Sequence, residues 1–203
     1  MDYATLVAQL QAWQEEEGAE FLASVDTIID LAEQRISKEL DCDAMRAQDT
    51  LALVAGTPTI AKPTLAVGIN WVRIGSNPPI EFRTLSYMLD YAPDATSTGT
   101  PRYYGNKDAS TLYFAPTPNS AAAALTTTCE YFFRINGLSS TTTTTWISVN
   151  AFDLLFYACL LESGVFLKNV EDDKRYGELY ARALESAKAE VARVRSDATS
   201  PMR

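Results

Sequence analysis

Apolar residues recur at three- and four-residue steps from Phe21 to Leu40 (Phe21, Val25, Ile28, Ile29, Ala32, Ile36 and Leu40), with Asp26, Asp30, Glu33, Lys38 and Glu39 on the other face. That spacing predicts an amphipathic helix. Tyr3, Leu6, Val7, Leu10 and Trp13 predict a shorter one before it, and Glu15-Glu16-Glu17-Gly18 separates the two as a solvated loop. From Thr50 to about Arg134 the period changes. Proline, glycine and threonine punctuate short β-branched and aromatic runs, which predict strands at Leu51–Val54, Thr64–Val67, Asn70–Ile74, Ile80–Leu85, Thr111–Ala115 and Thr126–Arg134. Ser86 is expected to cap a helical turn through Leu89, ended by Pro93.

Gly137 to Thr145 is a low-complexity loop ending in five threonines, expected to be mobile in isolation. Asn150 reads as the N-cap of a helix that is apolar on almost every side from Phe152 to Leu167, and such a helix has to be covered all round. Asn169, with Asp172 three residues on, reads as the cap of a last helix whose seam is Tyr176, Leu179, Tyr180, Ala183, Leu184, Ala187, Val191 and Val194. Periodicity stops at Arg195. The expected fold is α+β: a bundle of about four helices from 1–48 and 146–195, an inserted small antiparallel β domain at 49–145, and a flexible tail at 196–203.

A chain of 203 residues suffices for one domain with a sizeable insertion. Its longest apolar run, Leu154 to Leu161, is too short to span a membrane, and its first residues lack the pattern of a secretion signal, so a cytosol-like compartment is expected. Cys42, Cys129 and Cys159 are widely spaced and read as free thiols. With no histidine in the chain, Ser-His-Asp and Cys-His nucleophilic catalysis and imidazole zinc sites are excluded. Asp41 and Asp43, and the pair Asp172-Asp173, are the close carboxylate sets that acid–base chemistry or a metal would use; helix ends and turns explain them as well. The net charge of −9 argues against a groove that grips nucleic acid, although a wall that repels DNA lets it slide past.

Several short motifs occur in a telling order. Leu31-Ala32-Glu33-Gln34-Arg35-Ile36 is followed by Gly99-Thr100-Pro101-Arg102-Tyr103-Tyr104, then by Leu112-Tyr113-Phe114-Ala115-Pro116-Thr117-Pro118, Glu130-Tyr131-Phe132-Phe133, and the helix that starts at Trp146-Ile147. In this order they resemble the head-to-tail adaptor (connector) family of short-tailed bacteriophages, over roughly Asp26 to Leu184. Val54 to Pro79 matches nothing in that pattern, and the threonine run replaces a more usual acidic or Asn-containing loop.

The resemblance implies a structural virion protein made in the host cytoplasm. It implies a ring, usually of twelve copies, seated on the portal protein, a β region meeting the next tail component (nozzle or tail tube), and DNA passing through the channel without specific binding. No cofactor, metal or catalytic residue is implied. Carried onto this chain, the segment from Arg182 onward is the portal-binding arm, with Arg182, Arg193, Arg195 and Arg203 as its cations. Arg102, Tyr103, Tyr104 and Arg134 are candidate subunit or tail contacts, since aromatic residues and arginine are enriched at interfaces. The alternatives are a virion-associated carboxylate-dependent hydrolase and a host helical binding module.

Overall fold

The computed structural model describes residues 1–167 and 170–199, without the side chains of 170–173 and 196–199. Among the described residues there are seven α-helices: α1 (Tyr3–Gln14), α2 (Ala19–Glu39), α3 (Leu85–Tyr91), α4 (Ser120–Ala123), α5 (Trp146–Asn150), α6 (Phe152–Leu167) and α7 (Val170–Thr199). The nine strands are β1 (Arg46–Leu51), β2 (Thr59–Ala61), β3 (Gly68–Ile74), β4 (Glu81–Phe82), β5 (Thr98–Gly99), β6 (Tyr103–Asn106), β7 (Thr111–Ala115), β8 (Thr117–Pro118) and β9 (Thr127–Phe132). The chain divides into two compact units, a helical one (Met1–Met45 with Arg134–Arg203) and a β-rich one (Arg46–Phe133).

In the helical unit α6 is the hub, in contact with α1, α2, α5 and α7. Leu154, Leu155, Phe156, Ala158, Cys159 and Leu160 are all buried, as an all-round apolar helix requires. Asp2 caps α1 by accepting the Thr5 N–H at 2.9 Å. The break after α1 is made by Glu15 in the left-handed conformation at φ 52°, while Gly18 takes an ordinary φ of −64° as the N-cap of α2. Asn150 does not cap α6. It is the last residue of α5, a short helix closed by a capping box in which Thr145 and Ser148 exchange side-chain and backbone bonds. The Asn169–Asp172 cap lies outside the described residues. The α7 backbone runs on through 196–199, past the last periodic apolar position, and 200–203 lie outside the described residues.

Glu33 departs furthest from the sequence pattern. Placed with the polar face by its charge, it is fully buried. Its carboxylate accepts the Leu138 N–H at 3.2 Å and the Thr145 hydroxyl at 2.9 Å, bringing the threonine loop onto α2. The Tyr3 N–H donates to the Thr143 carbonyl at 2.9 Å, the Ser139 N–H to the Thr142 carbonyl at 3.0 Å, and Leu138 is buried. The expected mobile loop is therefore tied down at several points, and only side chains such as Thr141–Thr144 face solvent. The buried carboxylate supplies the acceptor that the Leu138 N–H and the Thr145 hydroxyl need once they are removed from water.

In the β unit, β9 is central to a three-stranded sheet ordered β1-β9-β3, and a second sheet runs β2-β7-β6-β4. β1 pairs antiparallel with β9 from Arg46↔Phe132 to Leu51↔Thr127. One core of Leu51, Val72, Ile74, Tyr104, Leu112, Phe114 and Cys129 is shared by the two sheets. The expected strand at Leu51–Val54 sits earlier, as β1, because an edge strand carrying Arg46, Gln48, Asp49 and Thr50 has little apolar signal. Thr64–Val67 forms no strand; a bond from the Ala66 N–H to the Pro63 carbonyl turns the chain there. Thr84, not Ser86, caps α3, accepting the Tyr87 N–H at 3.5 Å.

Burial pushes the Glu33 carboxyl above its ordinary value of 4.5, outweighing the hydrogen bonds that pull it down. The folded state therefore holds the proton more tightly than the unfolded chain, and this group's contribution to stability falls as pH rises from about 4.5 through the folded value. Urea unfolding at pH 4 and pH 7 should show Glu33→Gln gaining on the parent as pH rises. Glu33→Ala, which leaves the Leu138 N–H and Thr145 hydroxyl without their acceptor, should lose about 2–4 kcal/mol at both.

Candidate assembly interface

The β unit presents an aromatic surface built by α3 lying over β6 and β7. Tyr87 and Tyr91, one helical turn apart, both meet Tyr103 edge-on, with ring centroids at 5.4 and 4.9 Å. The Arg83 guanidinium lies 5.5 Å from the centre of the Tyr87 ring and 5.9 Å from that of Tyr103, and is paired with Glu81 at 2.5 Å. Hydrogen bonding with Tyr87, and after it desolvation, push the Tyr103 phenol up from its usual value of 10.0. Tyr87 and Tyr91 are each more than two-fifths exposed, so this face combines rigid rings with one arginine, the composition of interface anchors.

Gly105 is what lets α3 sit so close. A Cβ there would lie 2.2 Å from the Arg83 carbonyl oxygen and 2.7 Å from the Met88 methyl, and Met88 is fully buried beneath the helix. Of the residues expected at a contact, Tyr103 is half-buried within this cluster and Arg102 is exposed beside it on the chain. Tyr104 is buried at 2% exposure and its ring is spent on the core, since strand alternation turns it away from its neighbour. Arg134 is exposed but belongs to the helical unit. Arg83, Tyr87 and Tyr91 were missed by the sequence reading. The signal was present as two tyrosines at i and i+4 just behind an arginine, in a segment too short to show helical periodicity.

On the helical unit, the C-terminal part of α7 brings Arg195 onto the carboxylates of Asp41 (3.1 Å) and Asp43 (3.2 Å). These are the acids singled out above as a possible acid–base or metal pair, and they serve instead to hold a helix end to the turn after α2. Tyr176 and Tyr180 are buried, and the Tyr180 hydroxyl donates to Glu39 at 3.1 Å. Arg35 reaches Glu162 at 2.5 Å and lies 6.0 Å from the centre of the Tyr180 ring, which links α2, α6 and α7. Arg182 and Arg193 are exposed, and Arg203 and the side chains of Asp172 and Asp173 lie outside the described residues. Cys42, Cys129 and Cys159 are buried free thiols, each pushed up by burial. No helix among the described residues is long and apolar enough to cross a membrane.

Gly105→Ala should lower stability by about 1–3 kcal/mol, the range for overpacking a filled site, and should weaken the near-ultraviolet circular dichroism of the tyrosine cluster as α3 lifts. Arg102→Ala, at an exposed position, should shift stability by less than about 0.5 kcal/mol in the same denaturation assay.

No curated protein matches the chain. A family model described as SU10 adaptor protein matches residues 1–203, the whole length. The chain thus belongs to the SU10 adaptor protein family, the structural adaptors that phages place between head and tail components.

Proposed function

We propose that this protein is a head-to-tail adaptor that assembles as a homo-oligomeric ring, a dodecamer, between the portal protein and the next tail component. The family match over the whole chain carries the reading. In it the helical unit meets the portal through the end of α7, and the aromatic face of the β unit meets a neighbouring copy or the tail. Pairing with Asp41 and Asp43 gives Arg195 a fixed position, and Arg182 is solvent-facing. Both features suit a segment that docks on a partner.

The charge distribution supports a channel that DNA traverses without adhering. Residues 46–133 carry six lysines and arginines and six aspartates and glutamates, so the whole net charge of −9 resides in the helical segments. A wall of one sign repels a like-charged polymer and offers it no sticky minima.

Light scattering of the protein alone and mixed with portal rings of its own phage tests this reading. A complex holding about a dozen copies per portal is the expected result; no association at any salt concentration overturns it. Removing residues 196–203 should weaken portal binding while leaving the unfolding midpoint in place. Arg182→Glu should weaken it about fivefold, roughly 1 kcal/mol, as expected for one reversed surface charge.

A further inference from the structure

The β unit is a rolled sheet with one open seam. Its two larger sheets run β1-β9-β3 and β4-β6-β7-β2, beside a two-stranded β5-β8 ribbon. A bridge at Val72↔Ile80, with the Ile80 N–H on the Val72 carbonyl at 2.8 Å, links β3 to the chain just before β4. Followed around the shared core, the order is β1-β9-β3-β4-β6-β7-β2, and the two strands left at the ends, β1 and β2, line the walls of one groove. That groove has a volume of about 230 Å³ and is formed by Asp49, Thr50, Leu51 and Ala52 on one side and Ile60, Ala61, Lys62 and Pro63 on the other. Among the described residues β1 pairs with β9 alone and β2 with β7 alone.

Hydrogen-bond alternation shows which main-chain groups look into the seam. The Val67 N–H bonds the Phe132 carbonyl and the Gly75 N–H bonds the Thr126 carbonyl, so the even-numbered residues of β9 serve β3 and the odd-numbered ones serve β1. In register, Ala47, Asp49 and Leu51 then bond β9, and Gln48 and Thr50 point outward. On the other wall, the Lys62 N–H bonds the Ser110 carbonyl and the Phe114 N–H bonds the Pro58 carbonyl, which leaves Thr59 and Ala61 pointing outward from β7. The Thr50 N–H is covered locally by the Asp49 carboxylate at 2.7 Å, a common way of blunting an edge. Among the described residues Gln48, Thr59 and Ala61 have no comparable guard.

We propose that this seam receives an extended arm of a neighbouring virion protein, which inserts between β1 and β2 as an eighth strand and closes the roll. The inference rests on the adaptor reading for where the arm comes from. Geometry chooses the occupant: a strand seated here is bonded along both of its edges, so it comes from a segment that belongs to no sheet. A second copy's edge strands have already spent one edge, its threonine run has spent the Thr143 carbonyl on Tyr3 and Thr145 on a helix cap, and on the adaptor reading its residues 196–203 are engaged at the portal. The walls set the arm's chemistry. They are mostly small or apolar (Leu51, Ala52, Ile60, Ala61, Pro63) with one charge of each sign in Asp49 and Lys62. An uncharged strand of small or β-branched residues, about four residues long at a strand's rise, fits them.

Residue-resolved amide hydrogen exchange tests the proposal on three samples: dilute protein, concentrated self-assembled protein, and intact virions. In virions the Gln48 and Ala61 amides should slow at least about a hundredfold relative to the dilute protein, while the self-assembled sample stays fast. Slowing already in the self-assembled sample makes the occupant a second copy and overturns the proposal, as does fast exchange in virions. Absence of the chain from virions defeats the adaptor reading instead, so the two failures are distinct. Proline on either wall removes an outward N–H without touching the internal ladders. Gln48→Pro, or Ala61→Pro should the first fail to fold, is therefore expected to keep the parent's melting temperature and to lose at least tenfold in incorporation into particles; undiminished incorporation of a folded variant overturns the proposal.

Discussion

The circumference of α6 is the constraint on which the helical unit depends. A helix that is apolar on every side cannot rest on a single neighbour, and here α1, α2, α5 and α7 cover it in turn. Those helices come from opposite ends of the chain, so the unit cannot close until the intervening β segment has been accommodated. The polar ties then follow from the packing. Arg35 with Glu162, Tyr180 with Glu39, and Gln14 with Ser163 each fasten one covering helix to the hub or to another cover. Glu33 extends the same logic to non-helical chain, because a carboxylate facing the interior has to find donors, and the backbone near Leu138 and Thr145 provides them.

Much of this was legible in the sequence. The apolar spacing of Phe21 to Leu40 and the unbroken run from Phe152 located α2 and α6, since helices bury by periodicity and these periods are long. The break in pattern after Thr50 marked the β unit for the same reason. What the sequence concealed was polarity used internally. Glu33 looks like any acid on a solvated face, and only the arrival of a loop from a hundred residues away makes it a core residue. Likewise the side chains of β1 are mostly exposed on both faces, so strand alternation had little to report.

The surface candidates divide along the same line. Tyr103 could be found because aromatic residues concentrate near it, but nothing local separated it from Tyr104, which the pleat turns inward. The contributions of Arg83, Tyr87 and Tyr91 depend on Gly105 admitting α3 to close range, a condition set by one missing side chain across the unit. Asp41 and Asp43 were conspicuous as a pair, yet their partner Arg195 lies about 150 residues further on, and a pairing at that separation leaves no mark in a linear pattern.

The chain enters the β unit through Arg46 at the start of β1 and leaves it after Phe132 at the end of β9, and those two residues face each other in the ladder. Both connections to the helical unit therefore emerge from the same end of one antiparallel pair. Tension transmitted along the chain pulls that pair apart one hydrogen bond at a time, like a zipper, instead of shearing the whole ladder at once. Mechanically, the base of the insertion is its compliant point: a particle under internal pressure that strains this protein through its backbone would open β1 from β9 before it disturbed the packing around α6.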